Sequence, residues 1–143
     1  MLAFTNDAGE LWLVGRGGEV VKLVAHGQGR QESVCFHPRL RQILIAGRSG
    51  TASIWDYDGN RVAHLGVPGG PWISSATFTP DGERICMTDL RGVLSVMTKS
   101  GSLLASFRVP GSVFGAVACA SHAPQVAVGD QRGVVNVFPL PAE

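Results

Sequence analysis

Four glycines frame this chain: Gly9, Gly50, Gly92 and Gly133 stand 41, 42 and 41 residues apart, and a second series, Gly18, Gly59 and Gly101, follows nine residues behind the first three. Two interleaved series with one period mark a repeated supersecondary unit that buries its apolar faces by stacking on copies of itself. The flanking residues keep the same phase. Phe36, Phe78 and Cys119 lie fourteen residues before a repeat glycine, while Val14, Trp55, Met97 and Phe138 lie five after one. Pro38 and Pro80 lie twelve before, a position that Ser121 takes in the last copy.

Each unit holds four apolar runs separated by turns, which leaves no space for helices and predicts an all-β fold. First strands are expected over 33–37, 72–79 and 114–120, and second strands over 2–6, 43–47, 85–89 and 125–129. Third strands are expected over 10–14, 51–56, 93–98 and 134–138, and fourth strands over 20–25, 61–65 and 102–109. Ile43-Leu44-Ile45-Ala46 and Val93-Leu94-Ser95-Val96-Met97 are apolar on both parities, as strands covered on both faces must be. Small twisted sheets sandwiched between neighbours meet that need, which is the architecture of a β-propeller.

A chain of 143 residues is one ordinary domain, here taken as 1–143 with blades over about 2–25 (incomplete), 33–65, 72–109 and 114–138 (incomplete). The formal net charge of +1 argues against a nucleic-acid or membrane footprint. Ten of the twelve basic residues are arginine, which suits planar contacts with carboxylate or phosphate. The N-terminus turns polar after four residues and no run of 18 apolar residues occurs, so the expected compartment is the cytoplasm. Cys35, Cys86 and Cys119 sit singly in apolar runs, like reduced core cysteines, with no spacing for zinc.

The unit Ser33-Val34-Cys35-Phe36-His37-Pro38 … Ile43-Leu44-Ile45-Ala46-Gly47-Arg48-Ser49-Gly50 … Ala52-Ser53-Ile54-Trp55-Asp56 resembles the WD repeat, whose naming dipeptide is Trp55-Asp56 here. The next copy carries the Pro-Asp-Gly turn as Phe78-Thr79-Pro80-Asp81-Gly82. The copies resemble degenerate repeats of the prokaryotic type. The Asp that the family often places before the repeat glycine is replaced by Ala8, Ser49, Arg91 and Arg132, and only His26 is similar to the Gly-His element. Apolar packing should therefore carry these blades more than a buried polar network. In the family's phase the chain holds about 3.5 four-stranded antiparallel blades, a partial propeller. Closed propellers of the family commonly carry about seven blades, so the resemblance implies a longer propeller, a second copy or another half-propeller to cover the end blades.

The resemblance also implies a non-enzymatic module that binds or scaffolds other proteins. No Gly-x-Ser-x-Gly, His-Glu-x-x-His or phosphate-loop pattern occurs, and no catalytic residue, cofactor or metal is expected. Gly15-Arg16-Gly17-Gly18 aligns with the turn glycines and is read as a turn. His37 and His122 near the ends of first strands are read as structural or solvated, and Cys119 as core. The alternative function is a ligand-binding or catalytic propeller using its central channel, or a structural fragment of a larger signalling protein. By position in the family, Arg48, Arg91 and Arg132 fall on turns of one rim, joined by Arg30 and Trp72. Such an arc suits a protein partner, including an acidic or phosphorylated segment. The bland alternative pairs Arg91 and Arg132 with Asp89 and Asp130 and buries Trp72 between blades.

Overall fold

A computed structural model of the chain describes residues 1–24, 29–66 and 69–142. Strands β1 (Leu2–Thr5), β2 (Leu11–Val14) and β3 (Val20–Val24) form a first blade. A second blade contains β4 (Gln31–Phe36), β5 (Gln42–Gly47), β6 (Thr51–Asp56) and β7 (Arg61–Gly66). Strands β8 (Ile73–Phe78), β9 (Arg84–Asp89), β10 (Val93–Thr98) and β11 (Leu103–Arg108) make the third. The fourth comprises β12 (Phe114–Cys119), β13 (Gln125–Asp130) and β14 (Val135–Pro139). Every pairing is antiparallel between strands adjacent in sequence, so each blade is a meander and the chain is an all-β partial propeller. Strand ends fall within two residues of the expected ones. Ala25 and His26 lie outside the described residues, and with them the Gly-His element.

The repeat glycines end the hairpin turns. The Gly92 N–H bonds the Asp89 carbonyl at 3.3 Å and the Gly133 N–H the Asp130 carbonyl at 3.1 Å, with φ of 75° and 78°. A three-residue hairpin loop needs a left-handed residue at this point, where a β-carbon is penalised. Three residues before the glycine, a side chain caps the same turn. Asp89 Oδ1 accepts the N–H groups of Arg91 (2.8 Å) and Val93 (3.3 Å), and Asp130 Oδ1 those of Arg132 (2.9 Å) and Val134 (3.0 Å). Asn6 and Asp56 do likewise in their own turns. These Asx caps satisfy backbone donors that the ladder cannot reach.

The core is divided into three layers, one at each joint between blades. Leu11 and Leu13 of the first blade meet Ile43, Ile45 and Trp55 of the second. Leu44, Ala46, Ile54 and Leu65 turn the other way, onto Ile73, Phe78, Ile85 and Met87 of the third. Cys86, Leu94 and Val96 then leave the opposite face of the third blade to meet Phe114, Val126 and Val128 of the fourth. Consecutive residues of one strand thus serve different joints, which is why β5 and β9 are apolar on both parities. The joints carry few polar ties. One is Ser33, whose hydroxyl accepts the Ala76 N–H and donates to the Ala76 carbonyl, both at 3.1 Å.

The two outermost faces have no neighbour among the described residues. Leu2 (60% exposed), Phe4 and Val20 share one, and Val135 (66% exposed) and Val137 the other. No helix among the described residues is long and apolar enough to cross a membrane.

Candidate interaction site on one rim

Turns between second and third strands meet the connections between blades at one end of the sheets. Backbone bonds fix this rim: Arg48 N–H to Arg30 carbonyl (3.0 Å), Gly69 N–H to Ser49 carbonyl (3.0 Å), Val109 N–H to Gly92 carbonyl (3.0 Å) and Gln131 N–H to Val113 carbonyl (3.1 Å). Side chains on these turns are therefore presented from a backbone that is itself tied down.

Arg30, Arg48 and Trp72 form one cluster. The Arg48 guanidinium lies over the Trp72 ring, 4.4 Å from its centroid, and its Nε donates to Glu32 Oε1 at 2.7 Å. Arg30 Nε is 3.2 Å from the same Glu32 oxygen and 3.2 Å from Asp7 Oδ1 of the first blade. Trp72 remains 45% exposed, held by the cation–π stack and not buried between blades. Beside it opens a groove of about 390 Å³ whose wall includes Arg48, Trp72, Leu90, Phe114, Asp130 and Gln131.

Arg91 and Arg132 sit farther along the rim, each turned back on its own loop. Arg91 Nη2 is 3.0 Å from Asp89 Oδ2, and Arg132 Nη2 is 3.2 Å from Asp130 Oδ2 and 2.6 Å from Ser112 Oγ. Burial pushes the Asp130 carboxyl up, but the N–H groups of Val134 and Arg132, the Ser112 hydroxyl and the Arg132 guanidinium outweigh it and hold the group below the usual carboxylate range. Arg91 also lines a second, smaller groove with Gly70 and Pro71, between the second and third blades.

The four rim arginines thus face Asp7, Glu32, Asp89 and Asp130, so the rim is balanced in charge. The pairs of Arg30 and Arg91, open to solvent on the arginine side, are weak and exchangeable, the buried Asp130 carboxylate holds Arg132 more firmly, and the distinctive chemistry is the aromatic–guanidinium stack beside an apolar groove. Leu90 and Phe114 escaped the sequence reading of the site. Leu90 carried a signal, being a large apolar residue inside a polar Asp-Leu-Arg-Gly turn; it is 39% exposed. Phe114 had none, because its strand position reads as core.

The remaining candidates lie elsewhere. The Gly18 N–H bonds the Gly15 carbonyl at 3.1 Å, so this glycine cluster closes a turn. His37 is buried, whereas His122 is exposed beside a cleft on the opposite rim. Among the described residues, no group of three or more His, Cys, Asp or Glu side chains is placed to hold a metal ion.

No known family profile matches the chain. It is 30% identical over 81 residues to an uncharacterized WD repeat-containing protein of Synechocystis sp., covering 57% of this chain and 24% of that one. A second WD repeat-containing protein of the same organism is 31% identical over 72 residues, covering 50% of this chain and 22% of the relative. The matched region spans about a quarter of each relative's length.

Proposed function

From the assignment to the WD-repeat family, which both relatives support, we propose that this chain is a non-enzymatic interaction module that docks a segment of another protein on the Arg48–Trp72 rim. The half-exposed Trp72 carries the reading. Stacked on Arg48 beside a groove walled by Leu90, with Phe114 buried beneath it, it is a preorganised aromatic–arginine pair of the kind that dominates binding energy at protein interfaces. The fitting segment places an apolar side chain in the groove and a carboxylate or phosphate on the outer edge of Arg48. Among the described residues the Arg48 guanidinium donates one hydrogen bond, through Nε. Three reduced cysteines suit the cytoplasm as its compartment.

The test is selection of peptides from a random library on the wild-type chain, followed by binding to Trp72→Ala and Arg48→Glu variants whose folding is checked by thermal melting. At least tenfold weaker binding by both variants supports the site. Peptides that bind the folded variants as tightly as wild type reject it.

A second reading concerns the end faces. The first relative's 81 matched residues are 24% of its length, so it has roughly 340 residues, a length that would hold about eight repeats of this period. Bulky Leu2, Phe4 and Val20 at one end and Val135 and Val137 among small Ala116, Ala118 and Ala127 at the other are surfaces for further blades. The occupant is a second copy, another half-propeller or more of a longer polypeptide. Light scattering of the chain alone and mixed with candidate halves distinguishes these.

A further inference from the structure

Toward the rim opposite the Arg48–Trp72 groove, two of the three thiols meet across a joint. Cys86 of β9 and Cys119, the last residue of β12, bring their sulfurs to 3.6 Å from the third and fourth blades. Both are reduced. The gap is van der Waals contact between sulfurs, about 1.5 Å more than a disulfide bond length. Cys86 is fully buried, whereas Cys119 is partly exposed and precedes Ala120, which lines an open cleft of about 550 Å³. The contact between the two sulfurs pushes the Cys86 thiol up, burial adding to it, and draws the Cys119 thiol down. The Arg84 guanidinium favours the thiolate at either position.

We propose that Cys86 and Cys119 form a thiol–disulfide site that takes oxidising equivalents from a low-molecular-weight disulfide of the glutathione class and closes into a cross-link between two blades. Cys119 is the attacking thiol because it is the more exposed of the two. Its thiolate attacks one sulfur of oxidised glutathione, the disulfide bond breaks, and one glutathione leaves as thiolate and takes a proton. Cys86 then releases its proton, attacks Cys119 Sγ and expels the second glutathione. Two protein thiols lose two electrons and two protons, and one small disulfide becomes two thiols. Cys35 is the internal control, since its sulfur lies 3.5 Å from the Thr77 hydroxyl and is not paired with either of the other thiols.

The full chain is incubated with excess oxidised glutathione, remaining thiols are blocked with N-ethylmaleimide, and peptides are mapped without reduction. The expected result is a linked peptide pair joining residues 86 and 119, maleimide on Cys35 only, and reversal by dithiothreitol. Cys86→Ser is expected to stop at a stable glutathione adduct on Cys119, and Cys119→Ser to leave Cys86 unmodified. The inference is overturned if wild type stops at an adduct on Cys119, if both cysteines take maleimide, or if Cys35 supplies the partner.

Discussion

His37 of the second blade is bonded to Gly82 of the third: its Nε2–H donates to the Gly82 carbonyl at 3.0 Å, while Nδ1 accepts the N–H groups of Arg39 and Leu40, each at 3.0 Å. The ring also packs on Phe78 with centroids 4.7 Å apart. Both nitrogens are engaged only in the neutral imidazole, so the joint is sensitive to pH. Burial pushes His37 below its ordinary 6.5, with Lys99 and Arg39 adding to the fall and the Gly82 carbonyl and Glu83 opposing it. Between that lowered value and 6.5 the unfolded chain binds more protons than the folded one. Stability from His37 is therefore complete above about pH 6.5 and lost as pH falls through the folded value. The urea midpoint of wild type is expected to drop between about pH 7 and pH 5, and His37→Phe to lose about 1–3 kcal/mol at neutral pH with a flatter profile.

Gly92 and Gly133 share a left-handed backbone but not the same surroundings. A β-carbon at Gly92 comes within 2.6 Å of the Val109 and Ser112 carbonyl oxygens, whereas one at Gly133 meets nothing within 4 Å. Gly133→Ala is expected to cost about 1 kcal/mol, from backbone strain alone. Gly92→Ala must also move the connection to the fourth blade, and its cost is expected to exceed about 2 kcal/mol. Chemical denaturation of the two variants side by side checks the ordering.

Asp130 holds its turn through five contacts, to the Arg132 and Val134 amides, Ser112 Oγ and two guanidinium nitrogens of Arg132. Asp130→Ala is expected to speed amide exchange at Val134 and release Arg132, with Trp72 fluorescence unchanged. The folded Asp130 carboxyl sits below its ordinary 3.8, so its contribution is present above that value and fades as the medium is acidified through the folded one. Protection of the Val134 amide, taken relative to its intrinsic exchange rate, should then fall in acid in wild type, while the Ala variant is unprotected throughout.

Packing layers and end faces are expected to respond oppositely to substitution. Phe114 is fully buried between the third and fourth blades, and Phe114→Ala is expected to cost about 3–5 kcal/mol. Val135 and Val137 point away from that layer, and replacing both with Lys is expected to change stability by about 0.5 kcal/mol or less while lowering concentration-dependent association. Sedimentation velocity of the two variants separates the effects.

The glycine period located the hairpins between second and third and between third and fourth strands because the left-handed turn position tolerates little else, and β5 showed its two buried faces because neighbouring blades are alike in chemistry. Pairing on the rim was harder to read. Arg91 and Arg132 stand two residues after an aspartate, and whether such neighbours meet depends on the turn geometry that the aspartate itself caps. Trp72 shows a limit of pattern reading, since an aromatic residue at the start of an inner strand suits a buried joint as well as an exposed stack. Arg48 supplies the answer from 24 residues away in sequence, through a contact that no local pattern encodes.

The hydroxyl of Ser33 takes both the N–H and the carbonyl of Ala76, on the edge of the innermost strand of the next blade. Apolar layers alone would let two blades slide past one another at small cost, since greasy surfaces carry no direction. A two-way bond to a single residue does not permit that. It behaves as a locating pin, so a one-residue slip of β4 along β8 would strand three polar groups at once. Assembly of these two blades is therefore indexed, and a Ser33→Ala chain would keep its core yet lose one of the polar marks, beside the His37–Gly82 bond, that say where the second blade stops.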